Sequence, residues 1–149
     1  LLKLYLNDVG LLTYLLYGVN VNAVLQDIKS LNLGTVYESV VAQELAAHGF
    51  KQHYFDNKKK GEVDFLLDDD ENLTVLPLEI KSGRDYTAHS ALTNFLETPD
   101  YGVQRAIVFS NERKIFKKKG VTYLPIYYCM FLHSEQGDGN VILPELEMV

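Results

Sequence analysis

Two short stretches of the chain carry residue types that do chemistry at a meaningful spacing. Glu62 and Asp64 stand two apart in GEVDFLL, and Glu79 and Lys81 stand two apart in VLPLEIKSG. Side chains at i and i+2 of an extended chain share a face. Each pair is therefore predicted to point one way from its strand, with Val63 and Phe65, and Leu78 and Ile80, pointing the other. If the two strands are antiparallel neighbours, Asp64, Glu79 and Lys81 meet, because carboxylates on adjacent strands sit roughly 5 Å apart. Oxygen ligands so placed suit one hard cation such as Mg²⁺, which keeps several of its waters. An ammonium beside them can orient or deprotonate one of those waters. Charges two apart are ordinarily a solvated sheet face. Here the second stretch is otherwise apolar and sets both charges at its end, before Ser82 and Gly83, as a site at a sheet edge requires.

These residues need strands, and the patterning supplies them. Phe50 to Phe55, Glu62 to Leu67 and Thr74 to Lys81 are short runs rich in aromatic and β-branched residues, predicted as a three-strand meander. The turns between them differ in sign: Asn57 to Gly61 (NKKKG) is basic, and Asp68 to Asn72 (DDDEN) is acidic. Ahead of the meander a helix is predicted from Thr35 to His48, with Gly34 before it and Gly49 in the position that ends helices. At 100° per residue Glu38 falls on the stripe of Val41, Ala42 and Leu45, so a carboxylate points inward with the apolar face. A carboxylate so placed must be paired, protonated or on a metal.

Elsewhere, Leu2 to Leu6 reads as a short strand, and Asp8 as the N-cap of an apolar helix closed by Gly18. His89 to Glu97 has helical spacing and is stopped by Pro99. Arg105 to Ser110 is predicted as a buried strand, and Val121 to Ile126, interrupted by Pro125, as an edge strand. The polar, glycine-bearing stretch from Ser134 onward reads as a flexible tail. The expected organisation is 1–33 as a strand and helix leading in, 34–133 as the core, and 134–149 as the tail. The fold class is α/β, a mixed sheet flanked by helices.

Composition limits the alternatives. The 149 residues suffice for one domain, with hydrophobic residues at 47% and charged residues at 23%. The net charge of −6 gives no global attraction to nucleic acid, so any binding needs a local basic patch. Lone Cys129 cannot form an internal disulfide, and a reducing, cytoplasmic setting is expected. No apolar run approaches the roughly 20 residues of a spanning helix, so no membrane is expected. The chain starts at Leu1 with no signal-peptide pattern, and a longer parent protein is expected. No phosphate-cradling G-x-x-x-x-G-K-[ST] loop occurs, so this chain has no ATP site. His48, His53, His89, His133 and Cys129 give no zinc spacing.

Gly34 to Leu45 (GTVYESVVAQEL), Gly61 to Leu67 (GEVDFLL) and Leu78 to Gly83 (LEIKSG), in that order, resemble the PD-(D/E)XK nuclease superfamily, whose fold is restriction-endonuclease-like with a three-layer core. With Lys3 to Leu16 (KLYLNDVGLLTYLL) in front, the chain resembles more narrowly the uncharacterised domain found C-terminal to AAA-type ATPase modules in bacteria and archaea. The resemblance runs from about Lys3 to Leu132. It implies Glu38 as the helix acid, Asp64 and Glu79 as metal ligands helped by the backbone carbonyl of Ile80, and Lys81 as the catalytic lysine. Val63 stands where the superfamily's name has proline. The implied activity is Mg²⁺- or Mn²⁺-dependent phosphodiester hydrolysis of DNA or RNA, with an upstream ATPase as partner. The competing expectation is a catalytically inactive module of the same fold that mediates protein or nucleic-acid interaction for that ATPase.

Eight of the fourteen cations fall in two short loops: Lys58, Lys59 and Lys60, and Arg113, Lys114, Lys117, Lys118 and Lys119. Either these are solvated tips or, with Arg84 just past the proposed site, they contact phosphates.

Overall fold

Six strands form one mixed sheet: β1 (His53–Asn57), β2 (Gly61–Asp69), β3 (Thr74–Lys81), β4 (Ala106–Ser110), β5 (Phe116–Lys118) and β6 (Val121–Pro125), in the order β1-β2-β3-β4-β6-β5. A computed structural model describes residues 2–18, 22–23, 26, 32–134 and 141–142. The first three strands are the antiparallel meander expected from the patterning. β3, β4 and β6 then run parallel, and β5 returns antiparallel on β6. Parallel strands are covered on both faces, which is why β4 (AIVFS) is buried from end to end.

Two helices supply that cover. α2 (Gly34–Ala47) packs Val41, Ala42 and Leu45 against Phe65, Leu78 and Phe109 on one face. α3 (Ser90–Leu96) packs Leu92 and Phe95 against Val63, Val108 and Tyr123 on the other. The fold is thus a three-layer α/β core. α2 ends as its sequence predicts: Gly49, at φ 79°, donates to the Ala46 carbonyl and Phe50 to the Leu45 carbonyl, a Schellman motif. Cys129 lies in the α2-side core, as the buried residue of a 3₁₀ turn at Ile126–Phe131.

Several sequence expectations are corrected. Leu2 to Leu6 joins no β ladder among the described residues; it crosses the sheet as an extended strap held by alternate side chains. The helix after it, α1 (Val9–Tyr17), is capped by Asp8, whose carboxylate accepts from the Leu11 N–H at 2.8 Å. None of its residues is buried, and Leu11, Tyr14, Leu15 and Leu16 are exposed. The first strand of the meander begins at His53, not Phe50, because Phe50 is used in the helix-ending motif.

Val121 to Pro125 is not an edge. The run KIFKKKG contains β5, which covers it, and Lys119 (φ 50°) and Gly120 (φ 80°) make the two-residue hairpin turn. Pro125 is tolerated at the last position of β6.

No helix among the described residues is long and apolar enough to cross a membrane. The expected tail falls largely on 135–140 and 143–149, outside the described residues. Val141–Ile142 (β8) pairs antiparallel with His133–Ser134 (β7).

Candidate functional site

The site begins with an irregularity in β2. His53 pairs with Leu66 and Phe55 with Val63, so Tyr54 alone stands opposite both Asp64 and Phe65, a β-bulge. The extra residue shifts the alternation of faces: Val63 packs with the α3 layer and Phe65 with the α2 layer. The expectation that Val63 and Phe65 share a face is thereby overturned. Bulges re-aim side chains beside functional sites, and this one turns Asp64 toward the end of β3.

There the two strands part. The β2–β3 register runs from Asp69↔Thr74 to Phe65↔Leu78. Beyond it, the Asp64 carboxylate takes the place of a strand partner and accepts the Ile80 N–H at 2.8 Å. A strand residue directs its N–H and carbonyl to the same edge, so the Ile80 carbonyl is aimed at this gap as well.

Glu79 lies at the gap with 7% of its side chain exposed. One carboxylate oxygen meets the Lys81 ammonium at 2.7 Å, and the other, Oε2, is buried with no hydrogen-bond partner among the described residues. Burial, reinforced by the neighbouring Asp64 charge, pushes the Glu79 carboxyl up to about 7. Asp64 is raised by burial against the Ile80 hydrogen bond and two lysines, and Glu38 by burial and by the Asp64 charge. Glu38 reaches this field from the middle of α2. The structure thus brings Glu38, Asp64, Glu79, Ile80 and Lys81 to one place.

The strap adds two residues that sequence reasoning missed. Lys3 pairs with Glu62 and lies 3.8 Å from Asp64, its ammonium over the Tyr54 ring. The Tyr5 hydroxyl donates to Glu38 at 3.4 Å while its ring rests on Phe65, centroids 5.5 Å apart. Burial pushes the Tyr5 phenol up to about 12. The alternation of Lys3 and Tyr5 with leucines was the available signal.

Among the described residues, no three His, Cys, Asp or Glu groups are close enough to hold a metal by themselves. Two carboxylates, a carbonyl and waters remain a fitting set for a Mg²⁺-like ion, which is ordinarily held through one or two carboxylates. The stranded Glu79 oxygen is the group such an ion would satisfy.

The predicted basic contacts divide. Lys58 and Lys59 are exposed on the β1–β2 turn, but Lys60 folds back on Thr98 and Tyr101, its ammonium 4.7 Å from the Tyr101 ring centre. Arg84 is exposed just past β3. Strand directions put Arg84, and Arg113 and Lys114 after β4, at the end of the sheet where Lys81 lies, whereas the 58–60 turn, beyond the bulge, lies along α3 against Asn94, Thr98 and Tyr101. Lys117 and Lys118 belong to β5 and Lys119 to its turn, toward the opposite end. The acidic turn is altered too, since buried Asp69 pairs with Arg105 at 2.9 Å and with the Asn72 amide, which hold its carboxyl below the usual range despite burial. A cavity of about 240 Å³ is lined by His89, whose ring nitrogen meets the Tyr123 hydroxyl at 2.6 Å.

No curated protein and no solved structure matches the chain. One family model does match, over residues 33–129, which include Glu38, Asp64, Glu79 and Lys81 but not Lys3 or Tyr5. That match spans more than half of the chain, from the start of α2 to the 3₁₀ turn after β6, and on it the chain belongs to the family described as Domain of unknown function (DUF4143).

Proposed function

We propose that this domain is a metal-dependent phosphodiesterase acting on DNA or RNA, with a restriction-endonuclease-like fold of the PD-(D/E)XK kind, working C-terminal to an AAA-type ATPase. The observation that carries the reading is the buried, unpartnered Oε2 of Glu79 at the gap beside Asp64, with Lys81 on the other oxygen of the same carboxylate. Leaving a carboxylate oxygen buried without a partner is costly. Such an arrangement persists where a function uses it.

Asp64, Glu79 and the Ile80 carbonyl would hold Mg²⁺ or Mn²⁺, which supplies polarisation of the scissile phosphate and a more acidic bound water. Lys81, steadied by Glu79, orients the attacking water and offsets charge developing on the phosphate oxygens. Glu38 orients a further water at the site. Exposed Arg84, just past β3, is positioned to meet the substrate backbone beside Lys81, and exposed Lys58 and Lys59 are available to it from the β1–β2 turn.

Isothermal titration with Mg²⁺ and Mn²⁺ tests the site: the parent chain is expected to bind at millimolar or lower concentration, and Asp64→Asn is not. Incubation with plasmid, single-stranded DNA and structured RNA in Mn²⁺ tests the chemistry, with Lys81→Ala beside it as a contamination control. Cleavage by the parent alone supports the nuclease. Equal cleavage by both, or by neither, replaces it with a non-catalytic module docking the ATPase to a partner.

A further inference from the structure

The strap that delivers Lys3 to the acidic gap is patterned in reverse. Its cationic and aromatic residues, Lys3 and Tyr5, face the protein, while Leu2 and Leu4 are 77% and 84% exposed. An extended segment normally settles with its apolar side inward. This one gives up that gain, and it joins no β ladder among the described residues. What holds it is the charge of Glu62 and Asp64, the long hydrogen bond to Glu38, and the rings of Phe65 and Tyr54. The groove it crosses is not filled. Cavities of about 230 Å³ lie on each side of Tyr5, one reaching Asp64 and Phe65, the other Ala42 and Gln52 on the α2 side.

We propose that the strap is an intramolecular plug: the Lys3 ammonium occupies, beside Asp64, charge space that a divalent cation needs, and release of Leu2 to Leu6 opens the site. This rests on the cation-binding reading above. Lys3 and the ion are two ligands of overlapping carboxylates, and each must weaken the other by the same factor. When the strap leaves, Tyr5 uncovers Glu38, and the exposed leucines become free to seat on an apolar surface elsewhere. The site is then closed by default.

The test is Mn²⁺ affinity of the 149-residue chain and of Lys3→Met, with amide hydrogen exchange of residues 2–8 followed in the parent with and without Mn²⁺. Lys3→Met is expected to bind roughly tenfold tighter, a size ordinary for coupling between two ligands, and Mn²⁺ is expected to speed exchange of the strap amides in the parent. Equal affinity in both chains with unchanged strap exchange overturns the plug and leaves the cation site standing. No binding by either chain overturns both. Should Lys3→Met fail to fold, exchange in the parent decides alone: faster exchange on Mn²⁺ addition supports the plug, and unchanged exchange with Mn²⁺ bound overturns it.

Discussion

Glu79 sets the pH behaviour of the chain. Its carboxyl titrates near 7 in the fold against about 4.5 as an ordinary side chain, because it is buried and faces Asp64. Between those two values the folded state holds a proton that the unfolded state has released, so the Glu79 contribution to stability is full below the ordinary glutamate range and is lost as pH rises toward 7. Urea unfolding at pH 5.5 and pH 8 should show a metal-free loss of about 2 kcal/mol, and Glu79→Gln should remove most of it. A variant that keeps the full loss would show that other groups carry it. Mn²⁺ at pH 8 should restore stability to the parent and not to Glu79→Gln, since the ion replaces the proton. Asp69 acts in the opposite sense: its carboxyl is held low by Arg105 and Asn72, and its contribution is lost only on acidification.

At the scale of elements, what was legible depended on local pattern. β3, β4, α2 and α3 each announce themselves by runs or spacing, and two adjacent antiparallel strands were enough to expect Asp64 near Glu79, though the bulge and the parting of the strands are what aim it. The bulge was not legible, because GEVDFLL alternates regularly and the extra residue shows only in its pairing with β1. β5 was hidden because a three-residue strand carrying two lysines looks like a loop. Lys3 and Tyr5 were missed because their partners lie some sixty and thirty residues on, and spacing reports only neighbours. The β5–β6 turn is testable in itself. Lys119 sits at φ 50°, where asparagine is better tolerated, so Lys119→Asn should raise stability by several tenths of a kcal/mol. Gly120→Ala should cost about 2 kcal/mol or more, because a Cβ there would lie 2.5 Å from the Gln104 carbonyl oxygen at φ 80°. Urea denaturation of both variants measures the pair.

For the molecule as a whole, a net charge of −6 leaves nucleic acid only a local landing place. Strand direction groups Arg84, Arg113 and Lys114 at the Lys81 end of the sheet and sets Lys117, Lys118 and Lys119 toward the other. Neutralising the first three should lower the slope of log affinity against log salt by up to about 2.7 on duplex DNA. Neutralising the last three should leave it nearly unchanged. If both sets matter equally, the nucleic acid crosses the whole sheet rather than one end of it. If neither matters, the domain's partner is not a polyanion.

Lys117 and Lys118 are also placed for work of another kind, at the edge of the sheet. They sit on β5, the outermost strand at one side of the sheet, which is three residues long with both lysines exposed. An open strand edge is a template on which other chains polymerise, and shortness and lysine charge are the common defences. At the other margin the β1–β2 register shifts at Tyr54, opposite the bulge in β2, which spoils a flat edge there too. The bulge that aims Asp64 into the gap thus also helps keep the sheet from growing sideways into aggregates, so removing it would be expected to harm solubility as well as the site.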